Sequence, residues 1–199
     1  MKRSMAAAMI AGLALVQCSR VSTAEHDKGD LPTAGAAGSI ADCACAGKPI
    51  VDGPLLAFLS RARTAHHQAD LTQEDGELDL AVAALERVVR GPRPDAPEAT
   101  EVVADTYARL ADLRSELGDF GPALRDVDAG LALAARPSHF RGHLLEIKGV
   151  VLERRYRALD ARGETDAAAR AKGEALEAFK GAIDVQDQVI DDALSDGGH

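Results

Sequence analysis

One pattern of small and apolar residues occurs three times between residues 81 and 183, and it restricts the fold more than any other feature of this 199-residue chain. Its members stand at relative positions 0, 1, 4, 7 and 8, which lie on one face of an α-helix. The copies are Ala81, Val82, Leu85, Val88 and Val89; Ala123, Leu124, Val127, Gly130 and Leu131; and Ala175, Leu176, Phe179, Ala182 and Ile183. A repeated module with one apolar face buries that face by stacking on its neighbours. The sequence therefore predicts a small array of helix pairs.

Composition narrows the class of protein further. The chain has 32 acidic and 23 basic residues, a formal charge of −9, which argues against a nucleic-acid partner because such a partner requires a basic surface. It has 4 Phe, 2 Tyr and no Trp, so its core must be built from Ala, Leu and Val. Alternating runs of β-branched residues are absent, and we expect an all-α fold.

Residues 1–18 resemble a bacterial lipoprotein signal. Lys2 and Arg3 precede the apolar run Met5–Val16, which is shorter than the roughly 20 residues that span a bilayer. Cys18 stands at the position that the resemblance implies for lipid attachment, although Gln17 replaces the usual small residue before it. The alternative is cleavage after Ala24 and secretion without lipid. In both cases we expect an exported protein, membrane-anchored and facing the periplasm or cell surface in the first case and soluble in the second.

Residues 19–53 are rich in Gly, Ala, Ser and Asp and have no sustained apolar period, so we expect a flexible, disordered tether before a domain at 54–199. Cys43 and Cys45 lie in this tether. They could form a local disulfide, remain as two thiols, or form a redox or soft-metal site, and the sequence leaves these alternatives open.

Six helices in three antiparallel pairs are predicted beyond Pro54. The expected ranges are Phe58–Ala69, Glu77–Arg90, Pro97–Leu117, Phe120 to before Pro137, Phe140–Arg162 and Thr165–Leu194, with Thr165 as a helix cap. We take Ala62, Ala111 and Gly149 as equivalent small residues of the three first helices, and Ala81, Ala123 and Ala175 as their counterparts in the second helices. The sequence separation between the two residues is then shortest in the middle pair. The first separation exceeds it by seven positions and the third by fourteen. That register predicts that each helix of the first pair is about one turn longer than in the middle pair, and that each helix of the third pair is about two turns longer.

Residues Ala104–Pro137 resemble one tetratricopeptide repeat, a helix pair of about 34 residues. The matching positions are Tyr107, Leu110, Ala111, Gly118, Asp119, Phe120, Ala123, Leu124 and Leu131, whereas Arg114 and Gly130 depart from the family pattern. By extension, the resemblance implies repeat packing at Ala175, Leu176, Phe179 and Ala182 in the last pair. It also implies a non-catalytic array that binds proteins or peptides on its concave face.

Chemical motifs are weak. His139 and His143 are four residues apart, but no further ligands are placed beside them, and His66 and His67 lie in another pair. The carboxylates follow solvated helix faces, and no nucleophile elbow or phosphate loop occurs. We therefore expect no enzyme, no cofactor and no metal site.

Two charged surfaces are candidates for partner contact. Arg154, Arg155 and Arg157 could grip an acidic peptide, or could pair with acidic residues of the sixth helix. The acidic end of that sixth helix, around Asp184 and Asp191, is either a cap with a polar outer face or a docking surface.

These features together predict an envelope lipoprotein that acts as a protein- or peptide-binding scaffold. The alternatives are a periplasmic sensor or small-ligand carrier, and an accessory subunit of an envelope enzyme.

Overall fold

The computed structural model describes residues 52–196, and within that range the chain forms six helices and no strand. The helices are α1 (Gly53–Glu74), α2 (Leu78–Arg90), α3 (Pro97–Glu116), α4 (Phe120–Leu133), α5 (His139–Ala161) and α6 (Thr165–Asp196). The predicted all-α class is confirmed. The signal, Cys18, the tether, Cys43 and Cys45 lie outside the described residues.

The helices form three antiparallel hairpins, α1–α2, α3–α4 and α5–α6. Each hairpin contacts the next one through both of its helices, since α3 packs on α1 and α2 and α5 packs on α3 and α4. The core is a chain of small apolar clusters, most of them joining two successive hairpins. The order of hairpins in space therefore follows their order in sequence.

Helix ends follow local chemistry, and the length of α1 and the role of Thr165 depart from the sequence expectation. Helix α1 is longer at both ends than predicted, because Pro54 is accommodated in its first turn and nothing interrupts it before Gly76. Ser138 caps α5 by accepting a hydrogen bond from the backbone N–H of Arg141, at 3.2 Å. Thr165 is not a cap: it is the first residue of α6, and its hydroxyl donates to the Gly163 carbonyl.

All three hairpins use the same turn. Gly76, Gly118 and Gly163 have φ of 79°, 84° and 75°, which is the left-handed conformation that glycine adopts at low cost. In each turn the glycine N–H donates to the carbonyl three residues earlier, and the next N–H donates to the carbonyl five residues before it. This is the Schellman arrangement that satisfies the last carbonyls of a helix. The turn glycine therefore gives a common origin for aligning the hairpins.

Aligning the three hairpins on their turn glycines corrects the matching of equivalent residues that was expected from the sequence. Fourteen residues before the glycine stand Ala62, Ala104 and Gly149, and five residues after it stand Ala81, Ala123 and Ala168, all buried. The separation between the two positions is therefore the same in every hairpin. The expectation that the outer hairpins are longer by one and two turns per helix is wrong. It matched Ala111 and Ala175, each of which is seven residues further along the chain than the true equivalent.

Successive turn glycines are further apart in sequence than the roughly 34 residues of a tetratricopeptide repeat. The excess arises because the first helix of each hairpin has 20 to 23 residues. The helix-pair stacking is shown, and membership of that family remains a proposal.

The turn geometry predicts opposite effects for two glycine-to-alanine changes. Neither Gly118 nor Gly173 would bring an added Cβ within 4 Å of another group, so the backbone decides both results. Gly118→Ala should lower the free energy of unfolding by about 1–2 kcal/mol, because alanine is strained at positive φ. Gly173→Ala, within α6, should raise it by about 0.5–1 kcal/mol. Urea unfolding followed by circular dichroism measures both, and a stabilised Gly118→Ala variant would contradict the turn assignment.

Candidate functional site

The residues assigned to repeat packing mostly lie in the interior of the array. Leu110, Ala111 and Ala123 are buried, and Gly118 forms the middle turn. Tyr107 packs against both clusters between the first and second hairpins. Phe120 and Leu124 are half-buried, and both pack where the second and third hairpins meet. These side chains build the scaffold and leave little surface for a ligand.

The last copy of the signature packs differently. Ala175 and Ala182 are buried, and half-buried Phe179 lies against Gly149, where an added Cβ would come within 2.6 Å of the ring. Leu176 and Ile183 are 61 % and 57 % exposed. The expected packing of Leu176 within the array is therefore wrong. Relative to the turn glycine, Leu176 is equivalent to Val89 of α2 and Leu131 of α4. The next hairpin covers those two residues, whereas no described segment covers α6.

One ion pair is repeated at both junctions between hairpins. Arg109 donates to Asp70 at 2.7 Å, and Arg154 donates to Asp112 at 2.6 Å. Both arginines stand nine residues before their own turn glycine, and both aspartates stand six residues before theirs. Each arginine also bonds the side chain three residues before the preceding glycine, which is Gln73 or Ser115. We call this repeated contact the junction pair.

The junction pair revises the reading of the arginine cluster on α5. Arg154 pairs with Asp112 and Glu116 of α3, so the expected pairing with acidic residues of α6 is wrong for it. Arg157 pairs with Glu153 of its own helix. Arg155 makes no side-chain hydrogen bond within 52–196. Among the described residues, Arg155 therefore differs from Arg154 and Arg157 in having no ion pair.

Arg114 joins three helices. Its guanidinium pairs with Glu86 of α2 at 2.5 Å and with Asp126 of α4, and all three side chains are largely buried. Burial raises the pKa of Asp126 above its ordinary 3.8, while the hydrogen bond and charge of Arg114 act in the opposite direction. The cluster therefore ties α2, α3 and α4 together through one guanidinium.

The histidines are placed apart. His66 bonds the Thr106 hydroxyl at 2.9 Å, and burial lowers the pKa of its imidazole. Since that hydroxyl donates to the Val102 carbonyl, the neutral ring must donate from Nε2. His139 and His143 stack on one face of α5, with ring centroids 6.5 Å apart. Among residues 52–196, no three His, Cys, Asp or Glu side chains are grouped as metal ligands require.

A groove of about 590 Å³ lies where α3, the α4–α5 loop, α5 and α6 meet. Thr100 and Glu101 come from α3, Arg136 from the loop, Phe140 from α5 and Asp192 from α6. The wall carries two carboxylates, one guanidinium and an aromatic face. These residues are far apart in sequence, and only knowledge of the hairpin register could have brought them together. We call this cleft the junction groove.

One wall of the junction groove is held in place by its own hydrogen bond. Arg141 Nη1 donates to the Ala134 carbonyl at 3.0 Å, which ties the loop to the first turn of α5. The Ser138 cap acts on the same turn. These two hydrogen bonds therefore fix the loop that lines this side of the groove.

A second cleft, of about 460 Å³, lies between α1 and the end of α2. Phe58, Ala62 and Val88 form an apolar floor, and Arg61 and Arg87 stand at its rim. It belongs to the first hairpin alone, whereas the junction groove is built by the second and third.

No family model, curated protein or solved structure matches this chain. None of the helices within 52–196 combines the length and apolarity that a membrane crossing requires.

The Arg114 cluster predicts a pH-dependent loss of stability. Removing the cation leaves Glu86 and Asp126 facing each other, so Arg114→Met should cost about 2–3 kcal/mol at pH 7. The pKa of Asp126 is raised in the folded protein, so its carboxyl group keeps a proton to higher pH in the folded state than in the unfolded chain. The contribution of Asp126 to the free energy of unfolding therefore falls as the pH rises through the folded-state pKa. Without Arg114 that pKa rises further, and the penalty should therefore grow from pH 3.5 to pH 7.

Urea unfolding at the two pH values measures this penalty. Arg157→Met is the matched control, because its pair with Glu153 is 72 % and 43 % exposed and should contribute no more than about 0.5 kcal/mol. A penalty for Arg114→Met that is equal at both pH values would contradict the assigned role.

Proposed function

We propose that this protein is a non-catalytic scaffold of the bacterial envelope that binds a protein or peptide partner in the junction groove. The groove is the observation that carries the proposal. It is polar, it is lined by side chains from four segments, and its wall holds both charge signs beside an aromatic ring. A peptide presents the same mixture of backbone donors, backbone acceptors and side chains, so it can satisfy such a wall.

The charges of the groove indicate which partner fits best. Glu101 and Asp192 are exposed carboxylates on opposite helices, while Arg136 is the one cation among the described lining residues. A segment with a basic side chain between the two carboxylates and an acidic or carbonyl group near Arg136 complements this pattern. Phe140 offers an apolar contact beside them.

The proposed location rests on the N-terminal sequence. The basic residues, the short apolar run and Cys18 support export with lipid attachment, and the lipid would hold the array at a membrane surface. The resemblance to tetratricopeptide repeats supports partner binding by analogy.

The apolar cleft between α1 and α2 favours a second candidate function, a small-ligand carrier. Its floor of Phe58, Ala62 and Val88 suits an apolar molecule, and Arg61 and Arg87 at its rim suit a ligand with an acidic group. This reading uses the first hairpin and makes no use of the junction groove.

An affinity pulldown tests the scaffold proposal. The tagged full chain serves as bait for the detergent-solubilised envelope of the source cell, and a reproducible protein partner should be captured. Glu101→Lys with Asp192→Lys should reduce capture at least about tenfold, because both positions then repel a basic side chain. Glu174→Lys with Glu177→Lys makes the same charge change on exposed positions of α6 outside the groove, and it should leave capture unchanged. Equal capture by the groove variant and the control would contradict the assignment of the groove, and a bait without partner would favour the carrier.

A further inference from the structure

The outer face of α6 carries an apolar stripe. Leu176, Ile183, Ile190 and Leu194 are all more than half exposed, at 61 %, 57 %, 56 % and 73 %. They are spaced by seven, seven and four positions, which places them within about 40° of one another around the helix. At 1.5 Å per residue the stripe is about 27 Å long. Helix α6 contacts only α5 and so covers the end of the described array, as a capping helix does, but its outer face is not uniformly polar as expected.

The stripe continues an interface that the array uses elsewhere. The equivalent outer positions of the other second helices, Val89 and Leu131, are half-buried by the following hairpin. Leu176 stands at the same distance from its turn glycine, thirteen residues. Along the array this face is built to receive a helix, and α6 presents it over a longer distance than α2 or α4 does.

Leu176, Ile183 and Ile190 repeat every seven residues, the period at which two long helices can pack side by side. The charges beside the stripe select an orientation. From residue 182 to residue 196, α6 has five aspartates and no basic residue, whereas residues 165–181 are charge-balanced, with Arg170, Lys172 and Lys180 against Asp166, Glu174 and Glu177. A parallel pair of α6 helices would place the two acidic segments against each other. An antiparallel pair avoids this repulsion, because it places each acidic segment beside the charge-balanced part of the other helix, which contains all three of its basic residues.

The antiparallel arrangement is also self-complementary in register. A two-fold axis beside Ile183 brings the two copies of this residue together and places Leu176 of each copy opposite Ile190 of the other. Lys180 and Asp187 lie on the same side of the stripe, three residues before and four residues after Ile183. The same axis therefore places Lys180 of one copy beside Asp187 of the other. Within the described residues, Lys180 pairs with exposed Asp184 of its own helix at 2.7 Å, and an exposed pair of this kind contributes little to stability, so it can rearrange.

We propose that the α6 stripe binds a second copy of this chain, forming a two-fold dimer through antiparallel α6 helices. The junction groove lies on other faces of the helices, so the dimer would present two grooves to partners. The proposal goes beyond the scaffold function and does not depend on it.

Sedimentation equilibrium of the full chain tests the dimer. The expected mass is twice the 20.8 kDa of the chain. Leu176→Glu places a charge in the stripe of both copies and should weaken dimerisation at least about 100-fold. Leu80→Glu is the matched control, because Leu80 is a 54 % exposed leucine on α2, away from the stripe, and it should leave the dimer intact. Circular dichroism checks that both variants keep their helicity.

Charge reversal tests the register. Lys180→Glu should weaken the dimer, because it faces Asp187 of the second copy, and Lys180→Glu combined with Asp187→Lys should restore it. A monomeric wild-type chain overturns the proposal, as does a dimer that persists in Leu176→Glu, which would place the contact elsewhere, for example within residues 1–51. Loss of the dimer in folded Leu80→Glu would equally overturn it. Because these variants leave Glu101 and Asp192 unchanged, failure of the dimer is distinguishable from failure of the groove assignment.

Discussion

The relative position of the hairpins depends on the junction pair. Apolar contacts between alanine and leucine have no direction, and an apolar face that repeats every seven residues packs almost as well after a slip of one repeat. An arginine that must reach an aspartate and a neighbouring side chain has no such freedom. The contact occurs twice, from Arg109 to Asp70 and from Arg154 to Asp112, at the same distances from the turn glycines. It therefore adds a directional constraint to the apolar contacts that join the hairpins.

Stability has a different source. The junction pairs are partly exposed, so each contributes on the order of 1 kcal/mol or less. The helices approach closely at small residues, with alanine or glycine at the two equivalent positions of every hairpin, and this contact buries apolar surface without large side chains. These separate roles of apolar burial and of the junction pairs explain how a chain without tryptophan builds a defined array. Apolar burial holds each hairpin together and joins it to the next, while a few charged side chains add direction to these junctions. The same packing brings Glu101, Arg136 and Asp192 to one groove.

Much of this fold could be predicted from the sequence, and the failures have a physical cause. Glycine and proline mark helix ends directly, so six helices and three turns were predictable from local chemistry. The register was not, because the full apolar pattern begins at Ala175, whereas the true equivalent seven residues earlier, Ala168, has Lys172 at relative position 4 and so lacks the pattern. The error carried Leu176 into the interior, whereas it is exposed. The junction groove joins residues from four segments, and no local signal predicts such a site. The partner of Arg154 was equally unpredictable, because a cluster of basic residues in the sequence does not reveal that one of them pairs with α3.

A double-mutant cycle on Arg154 and Asp112 tests the role of the junction pair most directly. Arg154→Asp and Asp112→Arg should each lower the free energy of unfolding in urea, and the double variant, which reverses the pair, should recover about 0.5–1 kcal/mol relative to the sum of the single changes. Such a coupling would show that the charged contact itself holds the third hairpin in register. Additive losses, with no recovery in the double variant, would contradict the account and leave apolar packing as the only determinant of hairpin position.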